Sequence, residues 1–252
     1  MKINLSIVIP VHNEEQILEK NIILFIDYFN KYKSINLFEI IIVENGSIDH
    51  TSFIAKKLAK NYHNVSFYSI NERGLGLALK KGIGNAKYPF IYVNAIDNPF
   101  KFEDVIQFLN SKDSCDLVFA SKNHPRSLYK DSIIRVIPSK IITFFIKTIF
   151  SLPLTDTQGT FFGKKETLMK ILPNCTSSGA FFQAQIAINA ARAGMKISEV
   201  PVHYISQGKK SKFHLTKDGL LFLFELIKEK AKSFQLDARP RLSRSRGKQT
   251  RR

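Results

Sequence analysis

Cysteine is nearly absent: Cys115 and Cys175 are the only two in 252 residues. Two thiols are too few for a disulfide framework and match no clustered metal-site spacing, so the chain reads as a protein of a reducing compartment. Nothing in the sequence supports a thiol nucleophile. Long apolar runs are missing as well. The N-terminal run Leu5–Pro10 is short and meets His12, Asn13, Glu14 and Glu15 at once, which fits neither a signal sequence nor a membrane span. The stretch 141–154 follows Lys140 and is interrupted by Lys147, well below the ~20 apolar residues of a bilayer crossing. The expectation is a cytoplasmic chain with no signal peptide and no transmembrane helix, able to lie on a membrane without crossing it. Internal repeats are absent too.

Acidic residues are also in short supply. Against 38 Lys and Arg stand 21 Asp and Glu, a formal net charge of +17. That excess calls for an anionic partner: a phosphorylated ligand, a lipid surface or a nucleic acid. Roughly half of it is a property of the end of the chain, where ten basic and two acidic residues lie between Lys228 and Arg252. The segment "RPRLSRSRGKQTRR" would bind phosphates without reading bases, but no aromatic follows Phe234 to stack on them, which weighs against nucleic acid.

What is present is an ordinary globular composition, 44% hydrophobic and 23% charged. Short β-branched runs alternate with helical-period segments, which predicts an α/β fold with a mainly parallel sheet flanked by helices. Strands are expected at Leu5–Pro10, Glu39–Val43, Val65–Ser69, Phe90–Val93, Leu117–Ala120, Gln158–Phe162 and Lys196–Tyr204. Helices are expected at Glu14–Tyr32 with Asn13 as N-cap, then at Thr51–Tyr62, Gly76–Asn85, Phe102–Ser111, within the apolar, basic stretch Ser127–Phe150, at Gly179–Ala193 and at Lys217–Phe234. Residues 1–234 read as one domain, with a first half (1–112), a second half (113–216) and an amphipathic helix (217–234). A basic tail with few large apolar residues, 235–252, is expected to be disordered on its own. In such a sheet, ligands bind beyond the carboxyl ends of the strands, which directs attention to 12–14, 44–47, 71–76 and 94–99.

Five segments in these regions carry a resemblance. "SIVIPVHNEEQIL", "EIIIVENGSIDHT", "NERGLGLALKKGIGNA", "DTQGTFFGKKETL" and "GAFFQAQIAINAARAGMKISEVPVHYISQGKKSK" resemble, in order, the motifs of inverting glycosyltransferases of GT-A fold. The particular branch they are similar to is that of dolichyl-phosphate mannose synthase-like, polyprenyl-phosphate enzymes, from about Leu5 to about Leu215. The resemblance implies a GT-A fold, with a nucleotide-sugar half over 1–112 and an acceptor half over 113–216, and transfer of a sugar from a nucleoside diphosphate sugar to a polyprenyl phosphate at the cytoplasmic membrane face. Pro10, His12, Asn13, Glu14, Glu44, Asn45, Gly46, Ser47, Arg73, Gly76 and Ala95 fall at its nucleotide-binding positions. Asp97, Lys122 and Gln185 fall at catalytic ones, and Lys122, Gln158, Lys209, Ser211 and Lys212 on the side of the acceptor phosphate.

The chemistry implied is an in-line displacement at the anomeric carbon by an acceptor phosphate. That nucleophile is already ionised near neutral pH and needs no strong base, so positive charge has to hold the two phosphorylated reactants together. The family uses Mg2+ or Mn2+ on an Asp-x-Asp motif; here Ala95 replaces the first aspartate and Asp97 alone remains as metal ligand, so the cation requirement is expected to be weakened, down to dispensable. Glu44 and Asn45 stand for two aspartates, Gln185 for a glutamate, and Lys122 for an arginine. Two further readings stay open beside the enzyme: a nucleotide-sugar-binding or partner protein of the same fold without turnover, and an electrostatic nucleic-acid binder. The helix around Ser139–Phe150, with Lys140 and Lys147 on one face, suits either a lipid interface or a buried position. The sequence does not specify the sugar, the base, the acceptor or the oligomeric state.

Overall fold

The computed structural model describes residues 2–97, 104, 114–130, 133–157, 159–205 and 217–237. A seven-stranded sheet runs through the molecule. In chain order its strands are β1 (Ile3–Val11), β2 (Ile35–Asn45), β3 (Val65–Ile70), β4 (Phe90–Val93), β5 (Leu117–Ser121), β7 (Phe161–Lys164) and β8 (Ile197–Pro201), with spatial order β3-β2-β1-β4-β7-β5-β8. All neighbours pair in parallel except at β7, which runs antiparallel to both β4 and β5. A separate two-stranded ribbon joins β6 (Leu128–Lys130) to β9 (His203–Ile205).

Helices cover both faces, and the central strands β1 and β2 read accordingly as nearly continuous apolar runs. On one face, Leu5, Ile7 and Ile9 meet α1 (Leu18–Lys31) and α2 (Thr51–Asn61); α1 turns Leu18, Ile22, Phe25, Ile26 and Phe29 inward at helical spacing. On the other, Val8, Ile41 and Val43 pack with α3 (Leu75–Asn85), α4 (Ile133–Phe150), α5 (Lys165–Ile171), α6 (Phe181–Arg192) and α7 (Lys217–Asp237). The period-2 alternation along β1 and β2 therefore divides the core into two clusters, one on each side of the sheet.

Several expected boundaries shift, for physical reasons. The first helix begins at Leu18, not Glu14, because Asn13 adopts a left-handed φ of 53° and its side chain accepts from the Ile48 amide at 2.9 Å; it fastens one loop to another and does not cap a helix. The strand expected at Gln158–Phe162 is β7, displaced to Phe161–Lys164, since Thr160 is drawn to Asn94. Within the Ser127–Phe150 stretch, β6 precedes the helix, because residues 128–130 pair with β9. Val202, between β8 and β9, interrupts what was expected as one strand, and α7 extends to Asp237, three residues into the expected tail. The helix expected at Phe102–Ser111, apart from Asp104, and residues 238–252 lie outside the described residues.

Candidate active site

The carboxyl ends of β1, β2 and β3 open into one cleft of about 430 Å³, within the usual size range of small-molecule sites. Pro10, His12, Glu14, Asn45 and Arg73 line one side. Ser178 to Phe181, leading into α6, and Leu221, Phe222 and Glu225 of α7 line the other.

The floor of the cleft is braced by amides. Asn45 donates from Nδ2 to the Val11 carbonyl at 2.8 Å and accepts at Oδ1 from the Gly74 amide at 3.1 Å, so one side chain ties the end of β1 to the loop carrying Arg73. An aspartate here could not make the first bond, because a carboxylate has no N–H to donate. The Asn45 carbonyl sits 2.9 Å from Nδ1 of His12. A carbonyl only accepts, so Nδ1 carries the proton and Nε2, 3.4 Å from the Asn13 side-chain nitrogen, is the acceptor.

Glu44 plays a supporting part away from the cleft. It is buried; one carboxylate oxygen accepts from the Ser47 amide and the other from the Ser69 hydroxyl at 2.7 Å, so Glu44 ties the β2–α2 turn to β3. Gly46 in that turn has φ 69°, and a Cβ there would lie 2.9 Å from the Arg73 amide nitrogen. Ser47 accepts the Asn13 amide at 3.0 Å. Gly76 allows α3 to start against the 177–178 backbone: its amide donates to the Ser178 carbonyl at 2.8 Å, and a Cβ would meet the Ser177 carbonyl at 2.3 Å.

At the end of β4, Ala95 is exposed and Asp97 half-buried; the intervening Ile96 carbonyl accepts from Asn21 of α1 at 2.8 Å. Asn94, next to Ala95, accepts at Oδ1 from the Thr160 hydroxyl at 2.8 Å and is 1% exposed. Among the described residues, no three His, Cys, Asp or Glu side chains converge as a metal cage. Among the described residues the carboxylate expected at a cation is Asp97, which fits Mg2+ or Mn2+ only where a substrate's phosphate oxygens and water complete the shell.

At the end of β5, Lys122 places its ammonium 5.4 Å from the centre of the Tyr204 ring, and its amide faces Asp156 at 3.4 Å. The neighbouring segment is fixed by Glu199 of β8, whose carboxylate accepts from the Thr155 amide at 2.6 Å and from its hydroxyl at 2.8 Å. Gln185 stands elsewhere, in a buried network behind the cleft: its Oε1 accepts from the Ser177 amide at 2.8 Å and its Nε2 donates to Glu229 of α7 at 2.8 Å. Glu229 also pairs with Arg192 and, at 3.3 Å, with Lys232. Burial alone would raise its pKa, but the bonds from Arg192 and Gln185 and the charges of Lys232 and Arg192 prevail and hold it below the usual carboxylate value. Cys175 is buried, and that burial pushes its thiol up to about 12, which makes it unreactive. Gln158, Lys209, Ser211 and Lys212 lie outside the described residues. A larger cavity of about 540 Å³, bordered by Asp116, Glu166, Lys170 and Arg192, contains none of the residues expected at the site.

Sequence reading missed the wall supplied by α7. Its signal was present: Phe222, Glu225, Leu226 and Glu229 share one helical face, and carboxylates on a face otherwise apolar mark specific inward partners.

In a mostly parallel α/β sheet, the crevice beyond the carboxyl ends of the strands is where ligands bind, and this cleft lies there. Residues 6–182 match the family model Glycosyl transferase family 2, and the chain belongs to that family. It is 23% identical over 247 residues to Glycosyltransferase AglD of Haloferax volcanii, covering 96% of this chain and 39% of that protein. It is 26% identical over 255 residues to Dolichyl-phosphate beta-glucosyltransferase of Saccharomyces cerevisiae, covering 90% of this chain and 74% of the relative. The chain thus spans well under half of the archaeal relative and about three quarters of the yeast one. Among solved structures, glucosyl-3-phosphoglycerate synthase from Mycobacterium tuberculosis, in complex with Mn2+, UDP and phosphoglyceric acid, superposes with a TM-score of 0.67 at 15% identity, over 90% of this chain and 78% of that one. Mannosyl-3-phosphoglycerate synthase from Rubrobacter xylanophilus superposes with a TM-score of 0.58 at 14% identity, over 97% and 78%. These likenesses establish the GT-A fold.

Proposed function

We propose that the chain transfers a sugar from a nucleoside diphosphate sugar to a polyprenyl phosphate of dolichyl type, held at the cytoplasmic face of a membrane on which the protein is peripheral. The observation that carries this reading is the cleft itself, where His12, Glu14, Asn45 and Arg73 converge at the strand ends of a family 2 glycosyltransferase. Two relatives point to the acceptor: the yeast protein is named for dolichyl phosphate, and the Trichomonas vaginalis dolichyl-phosphate beta-glucosyltransferase is 27% identical over 218 residues, 79% of this chain and 65% of that one.

In this mechanism the nucleotide lies across the ends of β1 and β2, with Arg73 beside its phosphates. An oxygen of the acceptor phosphate forms a bond to the anomeric carbon as the bond from that carbon to the diphosphate oxygen breaks, and the nucleoside diphosphate departs with the electron pair. No proton has to be removed from the nucleophile. Lys122, held against Tyr204 on the acceptor side, supplies positive charge for the two phosphorylated groups. Asp97 would hold Mg2+ or Mn2+, which supplies charge neutralisation at the leaving diphosphate. Lys209, Ser211 and Lys212 are assigned to the acceptor phosphate from their matching positions.

A binding role without turnover is favoured by one observation: Glu44, Asn45 and Gln185, at family acidic positions, are all engaged in bracing the protein. Thermal unfolding with UDP, GDP and their sugar conjugates, each with and without Mn2+ or Mg2+, followed by a transfer assay on a polyprenyl phosphate, separates the two. Stabilisation by a nucleotide sugar together with lipid-linked sugar product supports transfer; stabilisation without product over a panel of sugars and lipids supports binding alone. No stabilisation by any nucleotide overturns both.

A further inference from the structure

Helix α7 has two unlike sides. Inward, Phe222 and Leu226 are buried in the core, the Phe222 ring meets Phe181 edge-on with centroids 4.9 Å apart, Glu225 accepts from the Ser177 hydroxyl at 2.9 Å, and Glu229 is locked to Gln185 and Arg192. Outward, Leu220, Leu223, Phe224 and Ile227 are 69%, 44%, 64% and 69% exposed, a continuous stripe at helical spacing. The adjacent α4 does the same: Ile146 is buried, while Ile141, Phe144 and Phe145 are exposed. Lys230 joins the two helices by donating to the Ile149 carbonyl at 2.9 Å.

The charge on this surface is sorted as well. Both carboxylates of α7 between 219 and 232, Glu225 and Glu229, face the cleft or the core, whereas Lys140, Lys147 and Lys228 are exposed beside the apolar stripes. From Lys228 onward the chain carries ten basic and two acidic residues. Exposed aromatic and aliphatic side chains ringed by lysine, continuous with a strongly cationic segment, match an anionic lipid surface. No described helix is long and apolar enough to cross a membrane, so these helices would lie on it.

We infer that the outward faces of α4 and α7 dock on an anionic bilayer and that this docking tightens nucleotide binding, because the same α7 supplies Leu221, Phe222 and Glu225 to the cleft wall. A bilayer that binds α7 in the position described here favours the walled form of the cleft, and by reciprocity nucleotide favours the membrane-bound form. The nucleotide half of this inference rests on the function proposed above; the docking half does not.

The test uses the full chain and vesicles of phosphatidylcholine with or without phosphatidylglycerol. The wild type should float with the anionic vesicles and be released by salt, and L223E/F224E, at two exposed positions outside the cleft, should lower partitioning by roughly 100-fold with an unchanged melting temperature. UDP affinity, measured by calorimetry with Mn2+, should rise about fivefold on adding anionic vesicles to the wild type and stay constant for the variant. Equal flotation of wild type and variant overturns the docking surface. So does a wild-type dimer in solution that L223E/F224E dissociates, which would show a second copy covering the face. UDP affinity indifferent to vesicles, or no UDP binding at all, overturns the linkage. Flotation without any sugar transfer to a polyprenyl phosphate would sink the proposed acceptor and leave the docking surface standing.

Discussion

Gln185 donates its side-chain amide to the Glu229 carboxylate at 2.8 Å, so the position where the family pattern carries a glutamate holds an amide facing a glutamate from another helix. The amide is what allows the two side chains to touch, since it donates where a carboxylate could only accept.

Restoring the family residue should therefore harm this protein. Gln185→Glu sets two carboxylates against each other in a buried site and leaves Glu229 with one donor fewer, for an expected loss of about 3 kcal/mol. Thermal unfolding should show a melting temperature lower by roughly 6–12 °C. An unchanged melting temperature would mean that the network does not hold α7.

The depressed pKa of Glu229 sets a pH dependence. A group whose folded pKa lies below its unfolded value adds stability that is complete above the unfolded pKa, about pH 4 to 5, and is lost as pH falls through the folded one. Denaturant titrations should show Glu229→Gln less stable than wild type at pH 7, with the gap narrowing towards pH 3. A gap that stays constant would contradict the assigned pairing.

Asn45 offers a parallel case at the cleft. Asn45→Asp replaces the donor to the Val11 carbonyl with an acceptor, leaving two oxygens facing each other, which costs about 1–3 kcal/mol. The loop bearing Arg73 loosens with it. The stabilisation given by UDP should shrink in Asn45→Asp and remain in Asn45→Gln only if the longer amide still reaches Gly74.

Asp97 is the carboxylate proposed to hold a cation. With Asp97→Asn, the part of UDP binding that depends on Mn2+ should weaken by at least roughly tenfold, while binding in EDTA stays the same. Equal Mn2+ dependence in variant and wild type would remove Asp97 from that role.

The central parallel strands were readable in the sequence because β1 and β2 carry runs of β-branched residues buried on both faces, as Ile40 to Val43 illustrates. The nucleotide cleft was readable because its residues sit on turns directly after such strands. Asn13 was harder to place: an asparagine before an amphipathic run suits an N-cap, and only the distant Ile48 amide decides otherwise. Glu44 and Gln185 could be aligned with family positions, but their partners, Ser69 and Glu229, are 25 and 44 residues away. Such pairings depend on tertiary packing, which local pattern does not encode. The α7 wall was missed for the same reason, although the helix itself was expected.

Strand β7 lies between β4 and β5, pairing Phe90 with Lys164 on one side and Leu117 with Gly163 on the other. A protease nick between β4 and β5 would thus leave an amino-terminal fragment with the inner edge of β4 bare and a carboxyl-terminal fragment whose β7 has lost a neighbour. Exposed edges of that kind seek a partner strand. Expressed separately, each piece would be prone to self-association; expressed together, they would act as a split-protein pair, with sheet completion as the signal that both are present.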